Sequence, residues 1–337
     1  MEEKVKYKVV RLNCKLFPVI SDEIQILQSA GADFIQVQGD DIPEHLLDAD
    51  VVMVVSAKIK GEVIKKLTKC GLIARIGTGT DKIDVAEATA NGILVTNVPD
   101  FCTSELADHT IALLLSAARK IVQLDKNTRI SNLNIRNEVS MRRIAGKKLG
   151  LIGFGTLARS VSNRAKAFAL DVFAYDPYVE AYDMEKFGVT KLNSIEDVLK
   201  ECDFVSLHLP LNDKTFHLIG EEQLRMMKPT AILINTARGA VIDEAALAKA
   251  LSEHWIEAAA VDVFENINPF EEVPTKQLSP LFLLENTVLT PHVAATSVES
   301  LIEVQTKAAT EVARVLSGRW PENCINQEVK ARYNLSK

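Results

Sequence analysis

What most constrains the fold of this chain is the spacing of its apolar runs. "YKVVRL", "DFIQVQ", "DVVMVV", "LIARIG" and "GILVTN" occupy the first 100 residues, and "KLGLIGF", "DVFAYD", "DFVSLHL", "AILINT", "AAAVDVF" and "TVLTP" follow from residue 148 onward. Each run is short and apolar almost throughout, with helical patterns between. Strands that read apolar on both faces belong to parallel sheets covered on both sides, so the expected class is α/β. At 337 residues the chain exceeds what one hydrophobic core usually supports, and two domains are expected.

Composition removes several functions. The net charge of -6, with both signs interspersed, offers no basic stripe to nucleic acid. "MEEKVKYKVV" has no apolar segment of the signal-peptide kind, and "IALLLSAA" falls far short of the ~20 residues that span a bilayer. Five cysteines (Cys14, Cys70, Cys102, Cys202, Cys324) show no ligand spacing and read as reduced thiols, which points to the cytoplasm.

Between the two series lies "TSELADHTIALLLSAARKIVQLDKN", residues 103–127, which reads as one long buried helix capped by Thr103 or Ser104. The last helix opens on Thr296-Ser-Val-Glu299, a capping-box pattern, and Gly318 is its stop.

The second series opens with a phosphate-binding signature. Gly153-Phe154-Gly155-Thr156-Leu157-Ala158 stands between a strand and a helical pattern. There the glycines allow a tight turn and close approach of a pyrophosphate to the helix N-terminus. Asp176 closes the next strand, where a carboxylate accepts ribose hydroxyls and repels a 2′-phosphate, so the cofactor expected is NAD.

Two further strand ends carry reactive groups. Arg238 in "INTARGAVID" has the fork geometry to hold a carboxylate and polarise a carbonyl. His292 in "TPHVAA" titrates near neutrality and suits proton transfer at a hydroxyl or carbonyl. His208 in "SLHLPL" contributes backbone near the cofactor, and His109 lies on the long helix. His45, His217 and His254 read as surface or packing residues, and the terminal Tyr333-Asn-Leu-Ser-Lys337 matches a YxxxK pattern by chance. No metal-ligand cluster stands out.

Taken together, "RIGTGTDKIDV", "VPDFCTSELADHTIALLL", "GLIGFGTLA", "LHLPLNDKT", "INTARGAVIDEAAL", "AAVDVF", "TPHVAAT" and "PENCIN" resemble the D-isomer-specific 2-hydroxyacid dehydrogenases over about residues 5–330. That group includes phosphoglycerate dehydrogenases, glyoxylate reductases and C-terminal-binding proteins. The resemblance implies two Rossmann-like, doubly wound parallel-sheet domains. A substrate domain of residues 1–102 plus 296–337, flavodoxin-like, would receive an inserted NAD-binding domain of residues 103–295. It further implies that the backbone of Gly77, Thr78 and Gly79 binds the substrate carboxylate together with Arg238. Thr110, Pro210, Thr215, Thr236, Ala237 and Asp262 would lie near the cofactor, with His292 as general acid/base. Members usually form homodimers through the cofactor domain and the long helix.

The chain departs from the family pattern after the Asp-Val-Phe segment, where a Glu-Pro is usual and the glutamate pairs with the histidine. Here the sequence reads Asp262-Val-Phe-Glu-Asn-Ile-Asn268-Pro269, which puts Asn268 at that position, or Ile267 without a gap, with Glu265 too early in the loop. An amide orients an imidazole without stabilising its charged form, so a lower histidine pKa is expected, with an oxidation profile that extends to lower pH. "VVSAKIK" lacks the arginine some relatives place there, leaving Lys58, and "ISNLNIRNEV" lacks a tryptophan often found. With no regulatory domain after residue 337, a short form is expected. Three functions stay open: a dehydrogenase of a small D-2-hydroxy acid, an NAD(H)-sensing scaffold of the corepressor kind, or an oxidoreductase for formate or phosphite.

Overall fold

The computed structural model describes residues 6–15, 17–39, 46–135, 139–267 and 279–336. Two compact units emerge, one of Met1–Phe101 with Ser297–Lys337 and one of Cys102–Thr296.

The first unit carries a five-stranded parallel sheet in the order β2-β1-β3-β4-β5. Its strands are β1 Tyr7–Arg11, β2 Ala32–Gln36, β3 Val51–Val54, β4 Leu72–Arg75 and β5 Leu94–Thr96. Helix α1 (Ser21–Ser29) and the last helix, α11 (Val298–Leu316), cover one face, where Leu27, Val304, Ala308 and Val312 meet the strand residues Val9, Met53 and Leu72. Helices α2 (Gly61–Ile64) and α3 (Val85–Ala90) cover the other face through Ile64 and Ala88. Chain order and burial therefore do not coincide: a face built by the first hundred residues is closed by the last forty.

The cap of α11 is one residue later than the sequence suggests. Ser297 accepts from the Ser300 amide (2.8 Å), and the Ser300 hydroxyl accepts from the Ser297 amide (2.8 Å). At the other end Gly318 takes φ +82, the left-handed stop expected of it. The Tyr333 hydroxyl donates to the Asp50 carbonyl (2.9 Å), so the tyrosine of the terminal YxxxK pattern is part of the packing of this unit.

The second unit holds a seven-stranded parallel sheet in the order β12-β11-β10-β9-β6-β7-β8. Its strands are β6 Lys148–Ile152, β7 Asp171–Tyr175, β8 Thr190–Lys191, β9 Phe204–Leu207, β10 Ile232–Asn235, β11 Ala258–Val261 and β12 Thr287–Leu289. Strand order reverses between β6 and β9, and that switch point opens a crevice at the carboxyl ends of the strands. Helices α4 (Thr103–Ala118), α6 (Thr156–Ala167) and α7 (Ala181–Glu185) cover one face. The other face is covered by α8 (Ile195–Glu201), α9 (Glu221–Met226) and α10 (Glu244–Ser252).

The segment expected as one long helix is two. α4 ends at Ala118, Lys120 adopts a left-handed conformation (φ 54, ψ 32), and α5 runs Ile121–Arg129. A non-glycine residue pays a steric penalty of about 1–2 kcal/mol there, and the half-buried Lys120–Glu257 ion pair (2.9 Å) holds the break. The start of α4 is capped by neither Thr103 nor Ser104; Cys102 is the capping position, and its side chain does not cap the helix. The five cysteines are buried, and among the described residues no helix is long and apolar enough to cross a membrane.

Candidate active site

The carboxyl edge of the seven-stranded sheet collects most of the candidate residues, one loop per strand end. After β6, Gly153 takes φ +92, and a Cβ there would lie 2.4 Å from the His208 carbonyl oxygen that follows β9. Only glycine lets the two loops flanking the switch point approach this closely. Phe154 is buried beneath the turn, while Gly155 and Thr156 are exposed. Gly155 is the N-cap of α6 and provides no side-chain cap, and a Cβ added to it would meet nothing within 4 Å. The helix therefore starts on uncapped amides beside open space, which fits a pyrophosphate.

Asp176 closes the cradle from the end of β7. Its Oδ2 accepts from the Phe154 amide (2.9 Å) and its Oδ1 from the Tyr178 amide (2.8 Å). A carboxylate has roughly four acceptor positions, so two remain for ribose hydroxyls. The His208 ring bonds Ser206 through Nε2 (3.0 Å), and burial alone pushes its pKa down to about 4, so it is neutral at pH 7. Pro210 and Thr215 belong to one turn, in which the Thr215 hydroxyl donates to the Pro210 carbonyl (2.6 Å). Thr110 on α4 and Thr236 after β10 are buried and bonded hydroxyl to hydroxyl (2.9 Å).

Arg238 is half-buried in the turn after β10, beside buried Ala237, and one of its guanidinium nitrogens donates to the Ala237 carbonyl (2.8 Å). That turn is shaped by Asn235, which sequence reading passed over. Its Oδ1 accepts from the Ala237 amide (2.9 Å) and its Nδ2 donates to the Arg238 carbonyl (2.9 Å).

His292 lies in the loop after β12, a strand two places from β10 in the sheet, about 10 Å away at ordinary strand spacing. It is half-buried at φ +56, and its amide donates to the Asp262 carbonyl (2.7 Å). The Asp262 side chain is 1% exposed and grips the same loop. Its Oδ1 accepts from the Thr290 hydroxyl (2.6 Å) and the Val293 amide (3.0 Å), and its Oδ2 from the Ala294 amide (2.9 Å). Main chain and side chain of one aspartate thus fix the histidine loop. His109, placed on the long helix from sequence, joins this cluster through Thr290 (Nε2 to Oγ1, 3.0 Å), with Asp262 at 3.7 Å.

Asn268, the expected partner of His292, lies outside the described residues, as does Pro269; Ile267 is half-buried. Glu265 turns to His217 (Oε1 to Nε2, 2.7 Å). Sequence gave no sign of that pair, because its members are 48 positions apart on different loops.

Gly77, Thr78 and Gly79 belong to the other unit, after β4. The Gly77 amide donates to the Arg75 carbonyl (3.0 Å). Arg75 braces the loop by donating to the Gly79 carbonyl (2.9 Å) and to that of Ile76. On the β3 side, buried Asn13 accepts from the Val55, Ser56 and Ala57 amides (3.3, 3.0 and 3.2 Å) and shapes the loop that leads to Lys58.

Residues 111–294 match the model of the D-isomer specific 2-hydroxyacid dehydrogenase NAD binding domain. The chain is 39% identical over 323 residues to a D-3-phosphoglycerate dehydrogenase of Methanocaldococcus jannaschii, covering 95% of this chain but 60% of that protein's length. It is 41% identical over 292 residues to a glyoxylate reductase of Korarchaeum cryptofilum, covering 86% of each. The crystal structure of a D-lactate dehydrogenase of Aquifex aeolicus complexed with NAD and lactic acid superposes with a TM-score of 0.83 at 27% identity, over 92% of this chain and 96% of that one. With a glycine turn before α6, Asp176 at the end of β7 and two parallel sheets, the chain belongs to the D-isomer specific 2-hydroxyacid dehydrogenase family, NAD-dependent oxidoreductases.

Proposed function

We propose that the chain interconverts a small D-2-hydroxy acid and its 2-keto acid. One observation carries the reading: a single sheet edge presents the phosphate cradle at Gly155, the Arg238 turn and the clasped His292 loop. Bound NAD supplies or accepts the hydride. Arg238 would hold the carboxylate by paired charge-assisted bonds and polarise the carbonyl beside it. His292 would give a proton to the substrate oxygen during reduction and take it back during oxidation. Asp262 keeps the imidazole loop in place and does not itself exchange a proton in this scheme. The Asp176 charge favours NAD over a 2′-phosphorylated cofactor. Asn268 is proposed as the imidazole's hydrogen-bonding partner; Asn268→Glu then raises the pH at which oxidation sets in, and an unmoved profile rejects that placement.

Pairing of two copies is part of the proposal. Ile121 and Val122 on α5 are 52% and 51% exposed, and Ile130 and Leu133 just after it 72% and 71%. So much apolar surface on one short segment fits a homodimer through this unit, and sedimentation velocity tests it. The buried thiols fit a reducing compartment such as the cytoplasm.

The deciding assay follows NADH absorbance over a panel of 2-keto and 2-hydroxy acids that includes glyoxylate, 3-phosphoglycerate and lactate, with formate and phosphite alongside. Turnover of a 2-keto or 2-hydroxy acid, lost in both Arg238→Ala and His292→Ala, supports the proposal. NADH binding without turnover, or turnover of formate or phosphite alone, overturns it.

A further inference from the structure

Arg238 does not sit on β10 but three residues beyond it, in a turn held from outside. Asn235 fastens the near side, as described above. On the far side, a Cβ at Gly239 would lie 2.1 Å from the Phe264 carbonyl carbon and 2.4 Å from the Glu265 nitrogen, so the loop after β11 rests directly on the residue after Arg238. The loop after β9 closes the third side: the His217 amide donates to the Ala240 carbonyl (2.9 Å), and the Ile219 amide to that of Val241 (3.1 Å).

These two outer loops are joined to each other by side chains. His217 Nε2 lies 2.7 Å from Glu265 Oε1. The Glu265 amide donates to Glu244 Oε2 (2.9 Å), and Glu265 Oε2 accepts from the Glu244 amide (3.5 Å), which ties the same residue to the start of α10. The His217 ring stacks on Phe216 with centroids 4.0 Å apart and planes 15° from parallel. Its backbone is left-handed, at φ +50. An isolated exposed ion pair contributes little. This one is partly buried, at 33% and 17% side-chain exposure, and each partner is anchored twice more. A proton on Nε2 makes the bond in either charge state of the ring, so it does not depend on His217 being charged.

We propose that the His217–Glu265 pair is a positioning couple that fixes the Arg238 turn, and through it the affinity for the substrate carboxylate; the second half rests on the reading of Arg238 given above. Neither residue touches the reacting atoms in this scheme. The pair acts as a strap, joining the loops after β9 and β11 across the turn after β10.

The test uses Glu265→Ala, Glu265→Gln, His217→Asn and the double variant Glu265→Ala/His217→Asn in the full chain. Asparagine tolerates the left-handed backbone while falling short of Glu265. Two readouts are taken: hydrogen exchange of the 236–243 segment, with 152–162 as internal control, and steady-state kinetics with NADH. Glu265→Ala and His217→Asn each speed exchange in 236–243 by about 10-fold and raise KM for the 2-keto acid by about 10-fold, the effect of losing one partly buried charge-assisted bond. The NADH dissociation constant, exchange in 152–162 and kcat stay within about threefold, since the pair lies off the cofactor loop. The double variant is no worse than either single one, and Glu265→Gln, which keeps an acceptor, restores most of the loss. Unchanged exchange in 236–243 overturns the strap. Faster exchange with unchanged KM overturns its link to the carboxylate. If the wild type turns over no acid, the function reading falls, and the exchange result by itself upholds or overturns the strap.

Discussion

Asp262→Asn changes one atom at the centre of the histidine loop. The carboxylate accepts three bonds, two at Oδ1 from Thr290 and Val293 and one at Oδ2 from Ala294. An asparagine of the same shape keeps its oxygen where two donors converge, which turns its NH2 toward the Ala294 amide, donor against donor. Ala294 is 2% exposed, so water does not take over. A buried donor left without an acceptor costs about 1–3 kcal/mol, and lost charge assistance puts this case toward the upper end. For a unit of this size, about 2–3 kcal/mol corresponds to a fall in Tm of about 5–10 °C. The His292 amide keeps its bond to the Asp262 carbonyl, so the loop loosens at 293–294 without being released. A displacement approaching 1 Å at a reacting group reduces turnover by up to about 100-fold, and a partly held loop is expected nearer 10-fold. Calorimetry and NADH-coupled kinetics read both effects, with the NADH dissociation constant as control. A variant with normal Tm and kcat but weakened NADH binding would refute this reasoning, and would show that Asp262 serves the cofactor directly.

Three further predictions follow from separate observations. Gly155→Ala leaves Tm within about 2 °C, because the added methyl meets no protein atom, but weakens NADH by about 10-fold where a pyrophosphate fills that space; calorimetry and fluorescence titration measure the two. Asp176→Ala narrows the preference for NADH over NADPH by about 10-fold or more, through loss of both the ribose acceptor and the charge that repels a 2′-phosphate, as read from the ratio of kcat/KM values. In the first unit, burial pushes the Glu23 carboxyl up to about 7 against the pull of Arg11, 3.1 Å away. Because the folded pKa is the raised one, this contribution is fully present below about 4.5 and is lost as pH rises through 7. Glu23→Gln removes up to about 3 kcal/mol of that pH dependence, visible as a flatter plot of Tm against pH between those limits.

Much of the fold was legible because buried parallel strands leave nearly continuous apolar runs, and eleven of the twelve strands among the described residues were read that way. The exception, β8, is a two-residue edge strand, Thr190–Lys191, too short and polar to leave a pattern. The break after α4 was hidden because Lys120 takes a left-handed turn where no glycine or proline marks one, and the Glu257 side chain that holds it comes 137 positions later. Among the candidate residues, Gly153, Gly155, Asp176, Arg238 and His292 stood out from local spacing at strand ends. Asn235, His109 and the His217–Glu265 pair did not, since their meaning lies in which loops the sheet order brings side by side.

The discontinuity of the first unit also sets a schedule for folding. One apolar face of the five-stranded sheet is closed by α11, whose residues emerge from the ribosome some 200 positions after β5, while the second unit is contiguous in the chain. At about 5–20 residues per second, that face waits roughly 10–40 s for its cover. The dinucleotide-binding unit therefore has time to fold first, and the interval before α11 arrives is when the nascent chain is most exposed to chaperones and to aggregation. A circular permutant that begins at Ser297 and carries α11 ahead of β1 would close that interval.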